Sequence, residues 1–144
     1  MENFNKILYS VNGNIAILTI NRPERRNALD AETLEQINIL LDRAESDEKV
    51  RVILITGQGD TFSSGFDLKS QMEKAPQGKE WKPILELDHR TIMRFWNSPK
   101  PTRAAVKGAC LAGAFELSLA CDFTICSKDS FFGEPELKFG AGIV

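Results

Sequence analysis

A nearly uninterrupted run of apolar and β-branched residues, Val-Arg-Val-Ile-Leu-Ile-Thr, occupies positions 50–56. A strand with one solvated face alternates apolar and polar residues, whereas a strand covered on both faces does not. The run therefore predicts a buried strand of a parallel sheet. Because parallel strands need crossover connections, which are usually helical, we expect strands and helices to alternate along the chain.

The rest of the sequence fits this alternation. Asn12-Gly13 between two β-rich runs predicts a hairpin, with both residues at positive φ. A helix is predicted from Ala31 to Glu45, with Asp30 as its N-cap, and a later helix is predicted to begin at Pro83. Further predictions are strands at 6–11, 14–20, 102–106 and 123–126, helices at 67–74 and 114–120, a flexible excursion at 75–82, a small-residue turn at 108–113 and a turn at 133–135. The predicted fold class is α/β with crossovers.

Composition excludes several classes of protein. The net charge of −2 provides no field that would attract nucleic acid or a membrane surface. Three cysteines cannot form a complete disulfide framework, and they suit a reducing, cytoplasmic location. No apolar stretch approaches the ~20 residues that span a bilayer. One feature is unusual, because the last six residues (139–144) are apolar and glycine-rich, where most domains do not stop.

Two loops of small residues each lead into a predicted helix. One covers 61–67 (Thr-Phe-Ser-Ser-Gly-Phe-Asp) and the other 108–113 (Gly-Ala-Cys-Leu-Ala-Gly). Backbone N–H groups at such positions bind an anion or a developing oxyanion. The alternative for each loop is an ordinary turn.

Carboxylates follow the second loop and lie in a third segment. Glu116 lies one turn into a helix among apolar neighbours, and Glu134 and Glu136 lie on a turn among aromatic residues. Carboxyl groups brought together in apolar surroundings have split pKa values, which suits acid–base chemistry. The alternatives are a solvent-facing glutamate and a hydrophilic surface turn. The single histidine, His89, and the scattered cysteines form no metal-binding pattern, so no metal is expected.

Taken together, five motifs in order resemble the crotonase superfamily, also called the enoyl-CoA hydratase/isomerase family. They are Asn21 to Leu29, Phe62 to Leu68, Lys100-Pro101 through Gly108, Gly113 to Leu117 with Cys121-Asp122, and Gly133 to Glu136. The resemblance implies a spiral of ββα units, with 1–144 as an N-terminal spiral domain that lacks the usual C-terminal helical part. It also implies a homotrimer or homohexamer in the full-length form.

The resemblance implies a site as well. An acyl-CoA thioester would place its carbonyl oxygen between the N–H groups of Phe66 and Gly113. Glu116 would activate a water molecule, and Glu136 would deliver a proton to the α-carbon. Contacts to CoA would come from Arg25, Arg26, Ala28, Ser64 and Asp67. CoA enters as part of the substrate, and no other cofactor is implied.

Three residues depart from the pattern of the family's hydratases. Phe66 stands where Ala is common, Phe115 where a small residue is usual, and Glu134 where Gln is frequent. The retained pair of glutamates favours hydration of a 2-enoyl-CoA, a reaction of fatty acid metabolism. The alternatives are another reaction of the superfamily, such as isomerisation or ring modification, and an acyl-CoA-binding module without turnover.

Overall fold

The computed structural model describes residues 4–73 and 76–139. Its strands are β1 (Ile7–Asn12), β2 (Ile15–Ile20), β3 (Val52–Gly57), β4 (Thr102–Val106), β5 (Ala109–Leu111), β6 (Phe123–Cys126) and β7 (Phe131–Gly133). Its helices are α1 (Ala31–Ser46), α2 (Leu68–Met72), α3 (Trp81–Trp96) and α4 (Gly113–Ala120), and short 3₁₀ segments cover Pro23–Arg25, Gly78–Glu80 and Pro135–Phe139. No helix in these ranges is long and apolar enough to cross a membrane.

The main sheet has five strands in the order β1-β2-β3-β4-β6. The hairpin β1–β2 is antiparallel, and every other neighbouring pair is parallel. The predicted buried strand corresponds to β3, which lies at the centre with Ile53 and Ile55 fully buried. The predicted α/β architecture is therefore confirmed.

A second, smaller layer gives the fold its spiral form. After β2, β3, β4 and β6 the chain crosses to this layer before it continues. There Leu29 bridges Phe66, Ser63 bridges Cys110, and β5 pairs in parallel with β7. The repeat of strand, second-layer segment and helix is the ββα spiral that the resemblance implied.

Three local predictions were wrong. Asn12 pairs with Ile15 and belongs to β1, so the hairpin loop is Gly13-Asn14, with Gly13 at φ +59° as in turns that place glycine first. The turn predicted at 108–113 contains β5, which forms only by pairing with the distant β7. Helix α3 begins at Trp81, which leaves Pro83 within the first turn, where its missing N–H costs no hydrogen bond.

Some predictions fall on residues that the structure does not describe. Lys74 and Ala75, where the predicted second helix ends and the excursion begins, lie outside the described residues, as does 140–144 of the glycine-rich end.

Candidate active site

Three glutamate side chains meet where the second layer ends. Glu116 lies in the first turn of α4, Glu134 follows β7, and Glu136 lies in the 3₁₀ segment after it. One carboxylate oxygen from each lies within 4.8 Å of the other two. Glu116 and Glu136 are each only 8% exposed, and Glu134 is half-buried. The solvent-facing alternative for Glu116 is therefore wrong, and on the predicted surface turn Glu136 is buried while Glu134 is partly exposed.

The pairing of β5 with β7 brings the glutamates together. Leu111 lies beside Gly133 in the parallel register, so the segments that follow both strands leave the same edge. The N–H of Ala112 donates to the Gly133 carbonyl at 2.8 Å, which ties the start of α4 to the Glu134 turn. Glu116 is held in turn by its own N–H, which donates to the Ala112 carbonyl at 3.1 Å.

The three neighbouring carboxyl groups favour retention of a proton, because three ionised carboxylates at this distance would repel one another. The pKa of Glu134 is raised to about 7, chiefly by burial and further by the charges of Glu136 and Glu116 and a hydrogen bond with Glu136. A carboxyl group with a pKa near the working pH is suited to general acid–base chemistry. Among the described residues, this is also the one set of three ligand-type side chains close enough to hold a metal ion. The expectation that no metal binds stays a prediction.

Two backbone N–H groups lie at adjacent turns beside the glutamates. Within the described part of the chain, the N–H groups of Phe66 and Gly113 donate to no backbone or side-chain acceptor. The two turns are in close contact, since a Cβ on Gly65 would lie 2.6 Å from the Ala112 Cβ and 3.2 Å from the Gly113 nitrogen. Paired N–H groups of this kind can hold an oxyanion.

The backbone at this point is strained. Ala112 precedes Gly113 with φ +56° and ψ −137°, a region that residues with a Cβ rarely occupy. The N–H and carbonyl of Ala112 are both bonded, to Gly133 and to the first turn of α4, and these bonds hold the conformation in place. Gly113 is the first residue of α4, so its N–H has no acceptor within the helix.

The residues predicted to contact CoA lie on two neighbouring segments, 25–29 and 64–67. Ser64 N–H donates to the Arg26 carbonyl at 3.0 Å, and Asp67 N–H donates to the Leu29 carbonyl at 2.9 Å. Ala28 is buried and Ser64 half-buried, while Arg25 and Arg26 are exposed. The structure thus brings all five predicted residues into one region.

Asp67 has protein partners of its own. Its carboxylate lies 3.2 Å from Arg22 and 3.4 Å from Arg25, and it accepts the Ser70 N–H at the start of α2. Burial raises its pKa, but the Ser70 hydrogen bond and the two guanidinium groups outweigh burial, and the pKa lies below its ordinary value. Arg22 also pairs with Asp30 and faces inward, so Arg25 and Arg26 are the exposed members of the basic cluster.

Sequence reasoning missed one buried carboxyl group near the site. Asp88 on α3 is 2% exposed, accepts a hydrogen bond from Gln71 at 2.9 Å, and lines a cavity of about 330 Å³ between α2 and α3. Its pKa is raised to about 6, chiefly by burial and also by the charge of Glu116, against the hydrogen bond from Gln71. The sequence did contain a signal of this burial, because Asp88 lies four residues after Ile84 and therefore on the predicted apolar face of the helix.

Comparisons with known proteins agree with this geometry. The family model described as enoyl-CoA hydratase/isomerase matches residues 10–142. The chain belongs to the enoyl-CoA hydratase/isomerase family. A probable enoyl-CoA hydratase from Bacillus subtilis is 37% identical, and a short-chain-enoyl-CoA hydratase from Clostridium acetobutylicum is 32% identical; each match covers 94% of this chain and 52% of the relative.

Solved structures show the same relationship. The crystal structure of an enoyl-CoA hydratase/isomerase from Xanthobacter autotrophicus Py2 is 58% identical, with a TM-score of 0.96 over 98% of this chain and 53% of that chain. This member of the family therefore spans about half the length of the relatives that it matches. Its membership confirms the resemblance, whereas the roles of individual site residues and the N-terminal position of the spiral domain stay predictions.

Proposed function

We propose that this site hydrates a 2-enoyl-CoA thioester to the 3-hydroxyacyl-CoA. The observation that carries the proposal is the approach of the buried Glu116 and Glu136 carboxyl groups to within 4.8 Å, beside two N–H groups with no acceptor among the described residues. A water molecule held between two carboxyl groups has one group to take its proton and another to supply a proton.

The proposed steps use only these groups. The thioester oxygen accepts hydrogen bonds from the Phe66 and Gly113 N–H groups, which stabilise the enolate-like charge that develops on it. Glu116 takes a proton from water as the water oxygen bonds to C3. Glu136 gives its proton to C2. The net change is the addition of one water molecule across the double bond.

The exposed guanidinium groups of Arg25 and Arg26 are proposed to contact the CoA phosphates. Asp67 supports that role by holding Arg25 at 3.4 Å, and Ala28 and Ser64 line the same region. A homotrimeric or homohexameric full-length form, a place in fatty acid metabolism and a cytoplasmic location complete the proposal, and they follow from the resemblance and composition alone.

The test is replacement of each glutamate by its uncharged isostere. In Glu116→Gln and Glu136→Gln, hydration of crotonyl-CoA should fall by about 10²–10⁴-fold, because each variant loses one proton-transfer group. Loss of the enoyl chromophore measures the rate. Glu35→Gln, an exposed position on α1, is the matched control and should keep the parent rate. Full hydratase activity in both site variants would overturn the two-glutamate mechanism.

Double-bond isomerisation is the second candidate, because Glu134 adds a third carboxyl group that could serve as a base. An isomerase that uses one base should tolerate one of the two substitutions and should interconvert 2-enoyl and 3-enoyl thioesters. Calorimetric titration with an acyl-CoA separates these enzymes from a binding module, which would bind the thioester without turning it over.

A further inference from the structure

Glu134 and Glu136 each bury a carboxylate oxygen for which the described residues provide no hydrogen-bond donor. The Oε2 atoms of both residues accept no hydrogen bond from any residue in the described ranges. A carboxylate oxygen of Glu134 nevertheless lies within 4.8 Å of one from Glu136. Because ionised carboxylates are acceptors only, two of them can bond to each other only through a proton.

We propose that Glu134 is a positioning residue that keeps one proton in the site at neutral pH, shared with Glu136 and available to the reaction. The inference rests on the proposed hydration and deepens it, because it names the source of the acid. Three carboxylates within 4.8 Å cannot all be ionised without strong mutual repulsion. A proton on the Glu134–Glu136 pair relieves that repulsion and leaves Glu116 ionised to act as the base.

The groups around Glu134 all favour this arrangement. Glu116 faces it from α4 and Glu136 from the 3₁₀ segment, and both charges raise its pKa. Cys110 faces it from β5 as a neutral thiol, because burial raises the pKa of that thiol to about 11. Glu116 in turn is close enough to Asp88 on α3 for its charge to raise the pKa of Asp88. Burial, both neighbouring charges and the hydrogen bond with Glu136 all raise the pKa of Glu134 and therefore favour its neutral form.

The expected pH dependence follows from the sign of these shifts. As pH rises through about 7, the pair loses its proton and the site loses its acid, so activity should fall on the alkaline side. Glu134→Gln removes one negative charge from the cluster. The remaining proton is then easier to lose, and the alkaline limb of the rate profile should move to lower pH.

The first measurement needs no enzymatic activity. Infrared difference spectra of the intact protein between acidic and alkaline pH should show the carbonyl stretch of a protonated carboxylic acid that disappears near pH 7. In Glu134→Gln the loss of this band should move to lower pH and, because the proton is shared, it should also move to lower pH in Glu136→Gln. Glu134→Asp should return the transition toward pH 7, and Glu35→Gln should leave it unchanged. If Glu134→Gln fails to fold, Glu136→Gln tests the same point.

The second measurement is kcat/KM for crotonyl-CoA across the pH range. A displacement of the alkaline limb by one unit makes Glu134→Gln about tenfold slower than the parent on the alkaline side, with similar rates on the acidic side. Equal profiles for the two proteins would overturn the proposal. So would a parent protein without the infrared band, or a bound divalent cation whose removal by a chelator makes the band appear.

The two proposals fail separately. An infrared band that behaves as expected in a protein without hydratase activity supports the role of Glu134 and overturns the proposed reaction. Hydratase activity that depends on Glu116 and Glu136 but not on Glu134, with no titrating band, supports the reaction and overturns the inference.

Discussion

At the scale of single residues, the oxyanion turn depends on a contact between Phe66 and Gly113. A Cβ on Gly113 would lie 2.2–2.5 Å from three carbons of the Phe66 ring. Gly113 is not among the residues with positive φ, so its backbone does not require glycine. The ring requires it. Phe66 thus offers one proposed donor while its side chain fixes the position of the other.

This contact predicts that the cost of a methyl group at 113 depends on residue 66. Gly113→Ala should destabilise the fold by about 1–3 kcal/mol and slow turnover, because the ring and the turn must move apart. In a Phe66→Ala background the same change should be neutral or stabilising by up to about 1 kcal/mol, since alanine favours a helix more than glycine does. Urea unfolding of the four proteins measures the coupling.

Equal costs of Gly113→Ala in both backgrounds would show that the ring is not the constraint. The control is Ala31→Gly at the exposed start of α1, which measures the preference of a helix for alanine over glycine away from the Phe66 ring. Gly78→Ala is unsuitable as a control because Gly78 has a positive φ.

At the scale of elements, Asp30 fixes the start of α1 and joins it to the loop that carries the proposed CoA residues. Its carboxylate accepts the Thr33 N–H at 2.9 Å as an N-cap. It also lies 2.6 Å from Lys6 and 3.2 Å from the largely buried Arg22. One side chain therefore caps a helix and neutralises two cations.

Two substitutions separate these roles. Asp30→Asn keeps a capping oxygen and should lose only the ion pairs, whereas Asp30→Ala should lose about 1 kcal/mol more for the cap.

Burial raises the pKa of Asp30, but its hydrogen bonds and Arg22 outweigh burial, and the pKa lies below 3.8. Its ionic stabilisation is therefore present above that value and is lost as pH falls through the folded-state pKa.

The stability difference between Asp30→Asn and the parent should accordingly shrink in acid, and urea midpoints measured from neutral to acidic pH would show it. A difference that does not change with pH would mean that the ion pairs contribute nothing.

Elements that local patterns encode could be predicted from the sequence, and those that need distant partners could not. Helix α1 and its cap follow from periodicity and Asp30, and β3 follows from its apolar run. Strands β5 and β7 have three residues each and exist because they pair across a gap of some twenty residues, which no local signal reports. That pairing also buries Glu116 and Glu136, which is why the residues alone left a solvent-facing alternative open.

At the scale of the whole molecule, an apolar surface remains along the far edge of the main sheet. All four residues of the edge strand β6 are exposed, including Phe123 at 60% and Ile125 at 54%. Other large apolar side chains that are exposed in the same part of the chain are Leu119, Phe131 and Leu137. An exposed apolar surface of this kind on an edge strand marks a place where other protein packs. The relatives that the chain matches are about twice its length.

This surface predicts the behaviour of the 144-residue polypeptide when it is produced alone. We expect it to self-associate and to hydrate crotonyl-CoA at least about 10²-fold more slowly than a full-length relative, because a displacement of the catalytic groups by about 1 Å costs about 10²-fold in rate. Sedimentation and turnover, measured on the same samples, test both expectations. Phe123→Lys and Ile125→Lys should reduce association without unfolding the chain, since both side chains are already exposed. A monomeric species with the full activity of its relatives would show that the described residues form a complete site by themselves.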